Sequence, residues 1–240
     1  MKKATLVAVA LLCAAAFTAA PAMAVPFDNK PKILLHVRPI TTKNACGTWV
    51  TNTLSSCNGA ITSHGITPPG GTGFNIYLLV ANPDSANGTS IAGFQVGITY
   101  QGGLASGDVD GIGLDLFGWT LCATLEFQQP SPPWPKPGGG NLITWDADNN
   151  CQRRDYAIAG YFYAAAYGDD RLTLIKRPID NVVKVADCTA AENLNMVPED
   201  LGYADFNVAG TGGCNPCNEL CHGTPTVPTT WGKIKSNYKK

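Results

Sequence analysis

The stretch Cys214-Asn-Pro-Cys217-Asn-Glu-Leu-Cys221-His222 gathers the chain's densest set of side chains able to bind metal or exchange electrons. Cys217-x3-Cys221-His222 is one residue longer than the c-type haem attachment motif, in which two thiols form thioethers and the histidine ligates iron. Haem would also need a distal ligand and an apolar slot. The three cysteines and His222 have the donor set of a zinc site, although adjacent Cys221 and His222 seldom reach one metal together. Cys214-x-x-Cys217 has redox spacing, but such a motif opens a helix after a strand, and Pro216 suits no such helix. The remaining reading is structural disulfides, and the rest of the chain favours it.

Two acidic clusters suggest calcium. Asp146-Ala-Asp148-Asn149-Asn150 matches the first, third and fifth positions of an EF-type loop. Cys151 stands where the turn needs glycine, and Ala157 stands where the bidentate glutamate belongs. In Asp108-Val-Asp110-Gly111-Ile-Gly113-Leu-Asp115, carboxylates and glycine carbonyls could surround a hard cation. Asp, Asn and Gly are also ordinary turn residues. The expectation is no obligatory cofactor, with Asp108, Asp110, Asp146 and Asp148 as the calcium candidates.

Aromatic residues raise sugar binding, because exposed coplanar rings stack on pyranose faces. Trp119, Trp134, Trp145, Tyr161, Tyr163 and Tyr167 form the set. Trp134 lies between prolines in the loop from Gln129 to Asn141, which contains five prolines and then three glycines. That loop either presents Trp134 to a partner or folds it back over the edge of the domain. Trp134, Trp145 and Tyr163 are the candidate ligand contacts.

Catalysis has little to stand on. There is no Gly-x-Ser-x-Gly elbow, no His-Glu-x-x-His and no phosphate-binding glycine loop leading into a helix. His36, His64 and His222 are the only histidines, and alternation puts His36 on a polar strand face. A carboxylate pair for glycoside hydrolysis is a third reading, which spacing alone does not locate.

The elements that position these groups follow from composition. With 45% hydrophobic and 15% charged residues, 26 Gly and 17 Pro, the chain is too poor in charge for a coiled coil and too rich in breakers for a helix bundle. Lys2 and Lys3 precede an apolar run from Ala4 to Ala20 that ends in Pro21-Ala22-Met23-Ala24, so residues 1–24 read as a signal peptide. Removing it takes Cys13 from the 9 cysteines and leaves an even set: Cys46, Cys57, Cys122, Cys151, Cys188, Cys214, Cys217 and Cys221. In an exported chain this predicts disulfides. Proximity favours Cys46 with Cys57, Cys122 with Cys151, and Cys188 with one of the last three. Taking two lysines from 17 basic residues leaves 15 against 18 acids, a balance with no pull toward nucleic acid, and no later apolar run is long enough to span a membrane.

Period-two alternation then predicts strands. Ile33, Leu35 and Val37 share one face, and Phe74 to Val80 is a continuous apolar strand suited to a sheet's centre. Ile91 to Tyr100, Leu114 to Phe127, Leu142 to Trp145, Ala159 to Tyr167, Leu172 to Ile175 and Val182 to Val185 complete about eight or nine strands. Residues 190–205 have room for one helical turn. The predicted fold is all-β: a single Greek-key or jelly-roll β-sandwich over residues 25–221, stapled by disulfides. In the tail, 222–240, Trp231, Ile234 and Tyr238 recur at i, i+3 and i+7 after Thr229 and Thr230, as in a short amphipathic helix.

Asn75-Ile-Tyr-Leu-Leu-Val-Ala-Asn, followed by Ile91-Ala-Gly-Phe-Gln-Val-Gly-Ile-Thr-Tyr, resembles the opening hairpin of cohesin-like and related Ig-like bacterial surface sandwiches. With Gly118-Trp119, Trp145-Asp146, Tyr161-Phe162-Tyr163 and Val185-Ala186-Asp187-Cys188, the span from Lys32 to Cys217 resembles secreted bacterial proteins with no assigned activity. The resemblance implies a non-catalytic extracellular module. The resulting expectation is a secreted binding or structural module at the cell exterior, with an extracellular protein or a polysaccharide as partner. A carbohydrate-binding module built on Trp134 is the alternative.

Overall fold

The computed structural model describes residues 30–41, 45–47, 54–81, 90–101, 109–189, 192–193, 196–209 and 212–222. The expected signal peptide, the tail beyond His222 with its expected helix, and Asp108 lie outside them. The strands are β1 (Lys32–Pro39), β2 (Ser63–His64), β3 (Phe74–Ala81), β4 (Gly93–Thr99), β5 (Leu114–Leu121), β6 (Leu125–Gln128), β7 (Gly140–Thr144), β8 (Tyr156–Ala166), β9 (Asp170–Ile175), β10 (Lys184–Ala186), β11 (Glu192–Asn193) and β12 (Tyr203–Phe206). The predicted helical turn is the short 3-10 turn Pro198–Asp200.

Two sheets face each other. The first has the order β1-β3-β8-β5, and the second runs β11-β10-β4-β9-β12-β2, with β7 also on β4 and β6 on β7. No neighbours in the first sheet are consecutive in sequence, so its connections cross over, as in a Greek-key or jelly-roll sandwich. All strand pairs are antiparallel except β2 with β12. Between the sheets lie Ile33, Leu35, Val37, Ile76, Leu78 and Phe162 from one side and Phe94, Val96, Ile98, Leu172, Leu174 and Phe206 from the other, all buried. Each such side chain contributes about 1.5–3 kcal/mol on leaving water.

The alternation read for β1 is correct for its inner face and wrong for its outer one. His36 is fully buried rather than on a polar face. A second apolar cluster covers the outer side of the first sheet: Leu34, Tyr77, Leu79 and Tyr161 from the strands, with Ala45, Leu54, Cys57 and Cys217 from segments laid over them. Those segments carry little apolar material of their own, so the covering layer depends on cross-links.

Candidate functional site

The disulfides are Cys46–Cys122, Cys57–Cys217, Cys151–Cys188 and Cys214–Cys221. All eight predicted cysteines are paired, but the proximity pairings are corrected: neither Cys46–Cys57 nor Cys122–Cys151 forms, and Cys188 joins Cys151. The covering layer explains this. Its loop carries Cys46 to the end of β5, where Cys122 emerges, and Cys57 to the chain's last described segment. There, Asn58 Nδ2 donates to the Cys217 carbonyl at 2.9 Å and Asn215 Nδ2 to the Cys57 carbonyl at 2.8 Å. With Cys214, Cys217 and Cys221 in disulfides, the haem, zinc and redox readings lose their thiols. His222 instead stands edge-on to Tyr203, ring centroids 5.4 Å apart.

The two tryptophans proposed as ligand contacts are buried, each about 5% exposed. Trp134 is not presented by its proline-rich loop. Its ring packs 5.4 Å from Phe162, and the loop is held down by Tyr100 Oη donating to the Pro135 carbonyl and by the Ile98 N–H donating to the Gly139 carbonyl. Trp145 stacks on Phe94 and helps line a cleft of about 330 Å³, which also meets Cys46, Cys122, Gln152, Arg154 and Tyr156.

The acidic turns are self-satisfied. Asp146 accepts the N–H groups of Asp148 and Asn149 and the Asn149 side-chain amide, which together hold its carboxyl below the usual range. Asp115 accepts N–H groups from Gly111 and Asp110; burial outweighs them and raises its carboxyl's pKa, while Asp110 itself accepts the Ile112 N–H. Among the described residues no three His, Cys, Asp or Glu side chains converge as a metal site.

Tyr163 is the one predicted contact that is open, and the structure gives it neighbours the sequence does not. Pairing aligns Arg38 on β1 with Asn75 on β3, Asn75 with Tyr163 on β8, and Tyr163 with Gly118 on β5. A bulge between Leu116 and Gly118 turns Phe117 out beside Tyr163. The two rings lie 5.3 Å apart, tilted by 42°, and are 40% and 44% exposed. Tyr167, just past the end of β8, is also exposed. The result is a cross-strand row, Arg38–Asn75–Tyr163–Phe117, in which Phe117 and Tyr163 are exposed, Arg38 is half-buried and Asn75 is buried. The next row inward, His36–Tyr77–Tyr161, is beneath the covering layer.

His36 Nδ1 accepts the Ile61 N–H at 2.9 Å, so its proton is on Nε2, which finds no partner among the described residues. Burial, and then the Arg38 guanidinium, lower its pKa to about 4. Among the described residues no helix is long and apolar enough to cross a membrane.

No protein-family model matches the chain, and no curated protein matches it. Solved structures similar to it are cohesin modules. The sixth cohesin of scaffoldin B from Acetivibrio cellulolyticus, solved with a dockerin, is 8% identical, with 75% of this chain and 99% of that one covered and a TM-score of 0.42. The cohesin module of a family 33 glycoside hydrolase from Clostridium perfringens is 11% identical over 74% and 98% of the two chains, TM-score 0.39. A type I cohesin from Clostridium thermocellum, also in a dockerin complex, is 7% identical over 75% and 94%, TM-score 0.41. Likeness at this level is one of strand arrangement and assigns this chain no partner.

Proposed function

We propose that this chain is an exported, disulfide-locked binding module that engages a protein through the open end of the first sheet's outer face. The observation that carries this reading is the exposed Phe117–Tyr163 pair, with half-buried Arg38 two strands away in the same cross-strand row. Aromatic rings and arginine are the side chains that dominate binding energy at protein interfaces, because they bury large areas at small entropic cost while offering directed polar contacts. The tilt of the two rings argues against a flat platform for a sugar ring. Export is supported by the basic, then apolar, N-terminus and by the cysteines, which only an oxidising compartment would keep paired.

The test is capture of envelope and culture proteins from the producing cells by the immobilised chain, followed by affinity measurement with Phe117→Ala, Tyr163→Ala and Arg38→Ala. A loss of about 30-fold or more for at least one aromatic substitution is expected, as for a residue worth about 2 kcal/mol at an interface. Unchanged affinity in all three would sink the reading.

A saccharide reading survives only at a different place from Trp134. The cleft beside Trp145 is also lined by Gln152 and Arg154, a combination that suits a carboxylated sugar. Retention on acidic polysaccharides that falls with Arg154→Ala, and not with Phe117→Ala, would favour it.

A further inference from the structure

Lys32 opens β1, and Asp200 closes the short turn that leads into β12. Ile33 and Leu201, the residues that follow them, form a parallel bridge, and the Gly202 N–H donates to the Ile33 carbonyl at 2.8 Å. The backbone thus holds the two side chains at one level, and Lys32 Nζ meets Asp200 Oδ1. Lys32 is 3% exposed and Asp200 0%. The second oxygen, Oδ2, accepts the Val197 N–H at 2.8 Å.

An ion pair so removed from water is expensive to keep, because Coulomb attraction does not generally recover the lost hydration of both charges. Condensation removes both charges at once. We propose that Lys32 and Asp200 form an intramolecular amide tying the first strand to the segment that enters the last described one. A proton passes from Nζ to Oδ1, the freed amine lone pair attacks Cγ, and a second Nζ proton follows to Oδ1. The Nζ–Cγ bond forms, the Cγ–Oδ1 bond breaks, and Oδ1 leaves as water; the ammonium and carboxylate charges cancel with no external reactant.

Each part of the site has a place in this step. Contact between Nζ and the carboxylate supplies proximity, which can replace a large entropic barrier when the reacting groups are held in line. The Val197 N–H is aimed at the oxygen that carries negative charge in the tetrahedral intermediate. Exclusion of bulk water opposes the reverse hydrolysis. The amide would bond two regions 168 positions apart, outside the disulfide network and resistant to thiols.

The test is peptide mapping of the full exported chain after reduction and alkylation. Trypsin does not cut after an acylated lysine. The expected product is a branched peptide that contains uncut Lys32 joined to the segment bearing Asp200, lighter than the two together by one water. Asp200→Ala should abolish it and restore cleavage after Lys32. Only linear peptides in the wild-type protein, or a linkage mapped to any residue other than Asp200, would overturn the proposal; neither outcome depends on whether the variant folds.

Discussion

Trp134 stands edge-on to Trp119, the two ring centroids 5.3 Å apart at 89°. Trp119 in turn lies over Gly160, where an added Cβ would come within 2.5 Å of its ring. The proline-rich loop therefore plugs the sandwich at this edge, and its tryptophan is part of the fold. Truncation by Trp134→Ala is expected to cost about 3–5 kcal/mol, as for other buried aromatics. Trp134→Phe should cost much less, since the indole N–H it removes has no hydrogen-bond partner among the described residues. Denaturant unfolding of both variants checks the order, and acrylamide should quench Trp134 weakly in a variant that keeps only that tryptophan. Equal losses in the two variants would contradict the plug.

His36 gives the fold an acid limit. Its folded pKa, about 4, lies below the ordinary 6.5, so the unfolded chain binds its proton first as pH falls. Stability from this residue is complete above pH 6.5 and is lost on descent to pH 4. At 1.36 kcal/mol per unit the full loss is about 3.4 kcal/mol, of which about 3 kcal/mol has gone by pH 4. His36→Asn places an amide oxygen near Nδ1 for the Ile61 N–H and cannot titrate. Unfolding free energies at pH 7.5 and 4 should therefore converge in the variant relative to wild type; parallel pH profiles would refute the assignment.

The inner faces of the strands were legible because their alternation is written in adjacent residues. Ile33, Leu35 and Val37, or Phe162, Ala164 and Ala166, need no distant partner to be recognised. The covering layer was not legible, because Leu34 and His36 are buried by segments fixed through Cys57–Cys217, a link spanning 160 positions. The cross-strand row was half legible. Tyr163 was already a candidate ligand contact, whereas Phe117 reaches it only through a bulge, which was not placed from the sequence. Arg38 and Asn75 join the row through pairing register, which no local pattern encodes.

The long cross-link should matter more than the short one. Cys57–Cys217 fastens the covering layer, while Cys214–Cys221 has a separation of 7. By loop-closure entropy, isolated links of these lengths contribute about 5 and about 2.5 kcal/mol. Paired serine replacements of each should lower the unfolding temperature, with the Cys57→Ser/Cys217→Ser protein less stable than the Cys214→Ser/Cys221→Ser protein. The reverse order would show that the layer is held mainly by its apolar contacts and asparagine hydrogen bonds.

Arg171 holds the buried carboxylate of Asp205 with two parallel hydrogen bonds, Nε to Oδ1 at 2.6 Å and Nη2 to Oδ2 at 3.0 Å. The guanidinium also lies flat over Tyr203, 3.9 Å from the ring centroid. The pair joins β9 to β12, and the Gly213 N–H adds a third donor to Asp205. Lysine cannot reproduce the fork or the stacking, because it is a point charge on a flexible stem. Arg171→Lys is therefore expected to cost about 1–2 kcal/mol despite keeping the charge, as a lost charge-assisted hydrogen bond would. Arg171→Ala should cost about 3–5 kcal/mol, since it strands a desolvated carboxylate. Adding Asp205→Asn to Arg171→Ala removes that stranded charge and should recover part of the loss. Additive losses in the double variant would mean that the pair is uncoupled, and that β9 and β12 are joined by their backbone ladder alone.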